Sequence, residues 1–434
     1  MHKIIKIVIG VCLFPFMAQA QQKYVGGDIS LLPTYEKHGV HYLDQDGVQV
    51  EPLKYFGEKA GWNAMRVRVF VDPSKASNEH KAWGARQDLG YATALCKRIK
   101  DEGYALMLDF HYSDTWTDPG QHSTPSAWNS SDPNVLADSV YRYTVRSLKY
   151  MKENGVVPDF IQPGNEITKG MMWPTGHCLP DGRDYKGGTF ANLVKYLNAG
   201  VKGCKEVCPE AKIVIHTELS NQWAVTNFYN TLANQVDYDI IGLSYYPDYH
   251  GTLGTLSSTL NTLESKHSDK DIMIVETGYG AQWPLNGKYS STVQKTWPIT
   301  EAGQKKFTSD LINELNKHPK VTGLFWWMPE DNEFWADANP ARSSWWNASL
   351  YTQNTGKPLA AMFELQRFIG KDPTGISNIL IDGLPNNNRS SKSATGSLVA
   401  TPIYNLQGQR VSASGNLPQG LYIAGGKKYL HIHR

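Results

Sequence analysis

Little in this sequence is one-sided. Lys and Arg number 43 against 41 Asp and Glu in 434 residues, and once Lys3 and Lys6 leave with the leader described below the two signs balance at 41 each. A chain without a basic surplus lacks the surface that displaces counterions from phosphates, which excludes a sequence-independent nucleic-acid binder and a basic membrane-surface protein. Long hydrophobic runs are missing too: outside the first 20 residues no stretch stays apolar for the ~20 residues that ~30 Å of hydrocarbon demands. Cysteine is scarce at five, and with neither CxxC pairs nor matched histidines a zinc site is excluded. No G-x-G-x-x-G follows the first strand candidate, which argues against the doubly wound open sheet, the structural rival of the fold reached below. No cofactor and no resident metal are expected.

What is abundant is aromatic surface. The chain is 41% hydrophobic and carries 13 Trp and 23 Tyr, more than a core of this size requires. Amphipathic rings are the usual means of gripping flat, weakly polar ligands, and sugars fit that description.

Residues 1–20, MHKIIKIVIGVCLFPFMAQA, run from a basic start through an apolar segment, Ile7 to Met17, to Ala18-Gln19-Ala20, the small-x-small pattern of signal-peptidase cleavage. The segment is too short to span a bilayer, and Val11 is bulkier than a lipidation motif at Cys12 tolerates. Export with cleavage before Gln21 is therefore the expectation: secreted or held at the cell surface, with the periplasm as an alternative. Of the four remaining cysteines, Cys204 and Cys208 can share a helix face and Cys96 reads as core, while their even number and export permit disulfides.

From Tyr24 to about Phe368, β-rich runs alternate with segments of helical period, and eight such units predict a (β/α)8 barrel over residues 21–372. The strands are expected at Tyr24 to Ser30, Asn63 to Phe70, Tyr104 to Phe110, Asp159 to Asn165, Lys212 to Thr217, Asp239 to Tyr245, Asp271 to Thr277 and Val321 to Trp327. Helices are expected at Glu51 to Ala60, Asp88 to Glu102 and Thr300 to Lys317. Residues 373–400 read as a polar linker rich in Asn and Ser. Residues 401–434 offer three short alternating runs, around Ile403, Val411 and Tyr422. They form a small β-rich tail, either a sorting or attachment module or a strand remnant.

In such a barrel the chemistry sits where strands end. Glu166 and Glu276 each follow an apolar strand, the fourth and the seventh, three positions apart around the ring, so they face each other across the mouth. Two carboxyls so placed can flank a glycosidic bond; about 5 Å supports double displacement with retention, and this short separation is expected over the ~6.5–9.5 Å of inverting enzymes. Arg66, with a Tyr245 hydroxyl beside it, is expected to hold Glu276 ionised, and that charge to keep the proton on Glu166. Asn165 is a donor to a sugar hydroxyl. Asp109, His111 and His216 stand at strand ends as further candidates for substrate binding. Trp116 and Trp327 are the favoured stacking residues among Trp173, Trp283, Trp326 and Trp335.

These motifs resemble glycoside hydrolase family 53. The resemblance rests on VGGDIS at Val25 to Ser30, GVHYLDQDG at Gly39 to Gly47, NAMRVRVFVDP at Asn63 to Pro73 and LDFHYSDTWTDPG at Leu108 to Gly120. It continues with QPGNE at Gln162 to Glu166, GLSYYP at Gly242 to Pro247, VETGY at Val275 to Tyr279 and WPITEAGQ at Trp297 to Gln304. It implies Glu166 as general acid/base, Glu276 as nucleophile, and endo-cleavage of β-1,4-galactosidic bonds in the (arabino)galactan side chains of pectin, by a monomer whose partner is the polysaccharide. It also implies calcium in some bacterial members, bound by acidic residues after strand seven. Here Thr277 to Thr300 contains neither Asp nor Glu, so no metal of that kind is expected, although Glu330, Asp331 and Glu333 leave another site open. The aromatic-rich segment Pro329 to Trp346 is expected to set chain-length preference. The rival activities are another retaining β-glycanase of the same clan, acting on mannan, xylan or glucan, and a non-catalytic galactan binder.

Overall fold

The computed structural model describes residues 21–219, 221–285, 290–334 and 345–372, together with four tail strands. The leader, the linker and Trp335 lie outside the described residues. Eight parallel strands close into a barrel in sequence order, β1 (Tyr24–Asp28), β2 (Ala64–Val69), β3 (Ala105–Phe110), β4 (Phe160–Pro163), β5 (Lys212–Glu218), β6 (Ile240–Tyr245), β7 (Asp271–Thr277) and β8 (Val321–Trp327), with β8 pairing back onto β1. All eight expected strands are present, differing by up to two residues at their ends. The tail forms a separate antiparallel sheet in the order β10 (Arg410–Val411), β9 (Ile403–Asn405), β11 (Gly420–Ala424), β12 (Lys427–His431). It has four strands where three runs were expected.

The helices follow from local signals. Leu89–Asp101 starts where Asp88 accepts the backbone N–H of Tyr91, and it buries Ala92, Leu95, Cys96 and Ile99, three and four apart. Pro133–Glu153 opens on Asp132 with Pro133 in the first turn, and Glu301–Leu315 opens on Thr300, which accepts from Gly303 N–H. Each fully buried leucine or isoleucine on these faces contributes roughly 1.5–3 kcal/mol of transfer free energy. Gly26 is needed where β1 crosses β2, because a Cβ there would lie 1.7 Å from the Ala64 carbonyl oxygen. All four cysteines are free and buried, so the permitted disulfides do not form; Cys208 closes the end of its helix through a backbone bond to the Cys204 carbonyl at 2.8 Å.

Inside the barrel, side chains from alternate strand positions stack in layers. The lower layer is apolar: Ala64, Met107, Phe160, Val214, Ile240, Met273, Val275 and Phe325 pack on one another. Further towards the strands' C-terminal ends the inward residues become Asp28 on β1, Arg66, Asp109, Gln162, His216 and Ser244, all fully buried. The apolar plug closes the barrel from below and leaves the charged layer facing the upper mouth.

Candidate active site

A cleft of about 480 Å³ crosses that mouth, lined among others by Arg68, His111, Trp116, Asn165, Glu166, Glu218, Tyr246, Glu276 and Trp327. Alternation explains most of these. Along β2, Arg68 lies two residues after Arg66, and along β3, His111 follows Asp109 by two. Glu276 is different. Met273 and Val275 both belong to the plug, so strict alternation would turn Glu276 outward. The pairing of β6 with β7 shifts there, from Leu243 opposite Ile274 to Ser244 opposite Glu276, leaving Val275 as an extra residue. This bulge re-aims the Glu276 carboxylate into the barrel.

Glu166 reaches the cleft by a strained turn. Its backbone sits at φ 47°, ψ 51°, a left-handed conformation that L-residues with bulky side chains avoid. Gly164, at φ 98°, prepares it, and a Cβ there would meet Ile167 Cγ2 at 2.8 Å. Two histidines clamp the turn. The Glu166 N–H donates to His216 Nδ1 at 3.3 Å, and His122 Nε2 donates to the Glu166 carbonyl at 3.2 Å. Burial lowers both histidines, His122 to about 3 and His216 well below the usual imidazole value, so each is a neutral hydrogen-bonding group.

Beneath the cleft floor lies the ionic layer. The Arg66 guanidinium is 2.9 Å from Asp28 Oδ2, 2.8 Å from Asp109 Oδ2 and 3.0 Å from Glu276 Oε1. It also donates to Asn165 Oδ1 at 2.9 Å. Burial alone would favour its neutral form, but Asp109, Glu276 and Asp28 outweigh that and hold the charge more firmly than in water. Asp109 stays ionised despite burial, lowered by Arg66 and His111, whose Nε2 lies 2.9 Å away.

The two glutamates therefore differ. Burial pushes Glu276 up to about 7, with Arg66 pulling it back, and Tyr246 donates its hydroxyl to Glu276 Oε2 at 3.2 Å. Burial raises Glu166 well above the usual carboxylate range, and the negative charges of Glu276 and Glu218 add to it. Both carboxyls are raised by burial, and the charges beside them differ: carboxylates add to the rise of Glu166, whereas Arg66 opposes that of Glu276.

The cleft brings together Glu166, Glu276, Asn165, His111, Trp116 and Trp327, with the Trp327 ring lying 4.8 Å from the Arg68 guanidinium carbon. Arg66 makes the contact expected of it, to Glu276 at 3.0 Å, but from a fully buried position, so it does not itself line the cleft as a substrate-binding residue would. Asp109 and His216 are likewise buried below the cleft and position the groups that line it. Tyr245 points away from Glu276 and donates to the Gly251 carbonyl at 2.9 Å. The hydroxyl beside Glu276 belongs to Tyr246, which shares its side of the strand with Gly242 and Ser244; counting by twos along β6 would have found it. His122, Trp83 and Trp345, outside helices and strands, and Tyr249, in the one-turn helix Pro247–His250, were missed because no period marks such positions. Trp173 stacks on His177 at 3.7 Å and Trp326 is fully buried; neither of them nor Trp283 lines the cleft. Among the described residues no cluster of His, Cys, Asp and Glu has the arrangement of a metal site.

An eight-stranded barrel whose rim holds two carboxyls of unequal proton affinity over an aromatic cleft is the arrangement of a glycoside hydrolase. The profile of "Glycosyl hydrolase family 53" matches residues 24–365, and the chain belongs to that family. It is 33% identical over 338 residues to the probable arabinogalactan endo-β-1,4-galactanase A of Neosartorya fischeri, covering 75% of this chain and 89% of the relative. To the arabinogalactan endo-β-1,4-galactanase of Humicola insolens it is 32% identical over 317 residues, covering 71% of this chain and 89% of the relative. Among solved structures, the family 53 catalytic domain of Ignisphaera aggregans superposes with a TM-score of 0.69 at 30% identity, covering 82% of this chain and 99% of that one. A fungal β-1,4-galactanase superposes at 0.66 with 29% identity, covering 80% and 100%.

Proposed function

We propose that this enzyme hydrolyses internal β-1,4-galactosidic bonds in the (arabino)galactan side chains of pectin by double displacement with retention. The observation that carries the mechanism is the inequality of the two glutamates in one cleft; the substrate comes from the relatives' names. Glu276, held by Arg66 and Tyr246, attacks the anomeric carbon. The proton on Glu166 passes to the departing glycosidic oxygen, and the galactosyl unit is left as an ester of Glu276. Glu166, now anionic, takes a proton from water, whose oxygen attacks the anomeric carbon on the face the glycosidic oxygen left and releases the Glu276 carboxylate from the opposite face, so configuration is retained. Asn165 spends one amide hydrogen on the Thr117 carbonyl at 2.7 Å and keeps a second for a sugar hydroxyl, a contact that strengthens as charge develops.

The leader at residues 1–20 supports export, to the medium, the cell surface or the periplasm, with the polysaccharide as the partner. No helix of the described residues is long and apolar enough to cross a membrane. Reducing-end release from linear galactan, compared with mannan, xylan and glucan, tests the substrate; activity on another glycan with none on galactan refutes it. For the roles, Glu276→Gln is expected to lose on the order of 10⁴-fold or more in kcat. Azide should rescue Glu276→Gly with inversion and a Glu166 variant with retention, and the reverse pattern would exchange the two residues.

A further inference from the structure

Part of the cleft lining, Trp83 and Gly84, follows a short helix that the mechanism does not use. After β2 the chain forms the helix Asn78–Ala82, capped by Ser77, whose hydroxyl accepts from His80 N–H at 3.0 Å. Trp83 follows, its N–H donating to the Glu79 carbonyl at 2.9 Å, and Gly84 at φ 96° turns the chain away. The Trp83 indole is 45% exposed. It lies nearly parallel to Trp116, which comes from the loop after β3, with ring centroids 5.9 Å apart and planes at 18°. His80 braces the pair: its ring is 4.2 Å from Trp116, and its Nδ1 is 3.1 Å from Thr115 Oγ1.

Exposed indoles occur elsewhere, Trp223 being 54% exposed, but Trp223 does not border the cleft. Trp83 and Trp116 both line the cleft that holds Glu166 and Glu276. β6 stands opposite β2 in the ring, and Tyr249, in the segment after β6, stacks on Trp345 with ring centroids 6.0 Å apart, both rings lining the same cleft. A galactosyl unit gathers C3–H, C4–H and C5–H on one ring face because its 4-oxygen is axial, and that face is the partner an indole plane accepts. A platform held rigid before the sugar arrives loses little entropy on binding.

We propose that Trp83 and Trp116 form a binding platform for a galactosyl unit beyond the two that flank the cleaved bond, so that Trp83 sets a preference for long chains over short ones. The proposal rests on the galactanase reading above. Its test is kcat/KM for wild type, Trp83→Ala and Trp83→Phe on β-1,4-galacto-oligosaccharides of increasing length and on linear galactan. Loss of an exposed ring–sugar contact should lower kcat/KM of Trp83→Ala about five- to tenfold on the polymer. The loss should appear in KM, with less than about a twofold change on the shortest oligosaccharide that wild type cleaves and with recovery in Trp83→Phe. An equal loss at every length, or none at any length, overturns the platform. If wild type leaves galactan intact and cleaves mannan or xylan instead, the galactanase reading fails, and the same length series on that glycan still decides whether Trp83 holds a distal unit.

Discussion

The strands that close this barrel carry two interiors. In the lower half, Ala64, Met107, Phe160, Val214 and Phe325 fill the space with apolar side chains. Two residues further along the same strands stand Arg66, Asp109, Gln162 and His216, as deeply buried and almost all charged or polar. The lower layer stabilises the fold through area removed from water. The upper layer contributes little of that kind, because desolvating Arg66 and its three carboxylates costs about what their attraction returns. What it supplies is placement: one cation holds Asp28, Asp109, Glu276 and Asn165 in a single arrangement. A layer that adds little stability and fixes a cleft carboxylate, the nucleophile of the proposed mechanism, is the kind of compromise expected at a site rather than in a core.

The sharpest way to break this contrast is Arg66→Met. Removing the cation leaves three buried carboxylates with only the more distant Arg68, 3.9 Å from Asp28 Oδ1, as a guanidinium counter-charge, a defect of about 3–5 kcal/mol in denaturant unfolding, together with loss of most activity. The sign with pH is fixed: the penalty should shrink as pH falls and the stranded carboxyls take up protons. A defect of the same size at every pH would mean that Arg66 acts by packing alone. Phe325→Ala probes the other half. It opens a cavity in the plug and should cost about 3–5 kcal/mol, while kcat of the folded fraction stays within about twofold because no charge moves. If it lowered kcat as Arg66→Met does, the two layers would be one mechanical unit and the contrast would fail.

A smaller effect follows from the raised Glu166. Its folded value lies above that of an unfolded glutamate, so its contribution is fully present below about 4.3, the unfolded value, and is lost as pH rises toward the folded one. Glu166→Gln should therefore stabilise the protein at pH 7 and above and make little difference near pH 4, measured as paired urea midpoints. Under the proposed mechanism, activity needs Glu276 ionised and Glu166 protonated. Its acid limb should fall near 7, where Glu276 titrates, with the alkaline limb above it.

Much of this arrangement is legible in the residues, and the gaps have physical reasons. Eight apolar runs ending in polar residues announce the barrel, and Glu166 and Glu276 stand out because each follows a strand directly. The depth of a strand-end residue is not visible from its position: Arg66 and Asp109 look like rim residues and are floor supports, since only the pairing register says which layer they occupy. The bulge at Val275 leaves no mark in composition, yet without it Glu276 would face the helices. His122 is silent because the strained Glu166 turn it holds is itself invisible before folding.

The finest test of register concerns two adjacent tyrosines. The Tyr246 hydroxyl donates to Glu276 and that of Tyr245 to the Gly251 carbonyl, although the two are neighbours at the end of β6 and both are buried. A hydrogen bond to the nucleophile that is worth ~1 kcal/mol corresponds to about a five- to tenfold fall in kcat for Tyr246→Phe. With the hydroxyl gone, the acid limb of the pH–rate profile should move upward, since the ionised form of Glu276 has lost a donor. Tyr245→Phe should leave kcat and both limbs within about twofold and affect only stability, by about 1 kcal/mol. The bulge that turns Glu276 inward also brings it level with Ser244 and within reach of Tyr246. If Tyr245→Phe shifted the acid limb instead, β6 would sit one residue out of register with β7, and Glu276 would then need another route into the cleft.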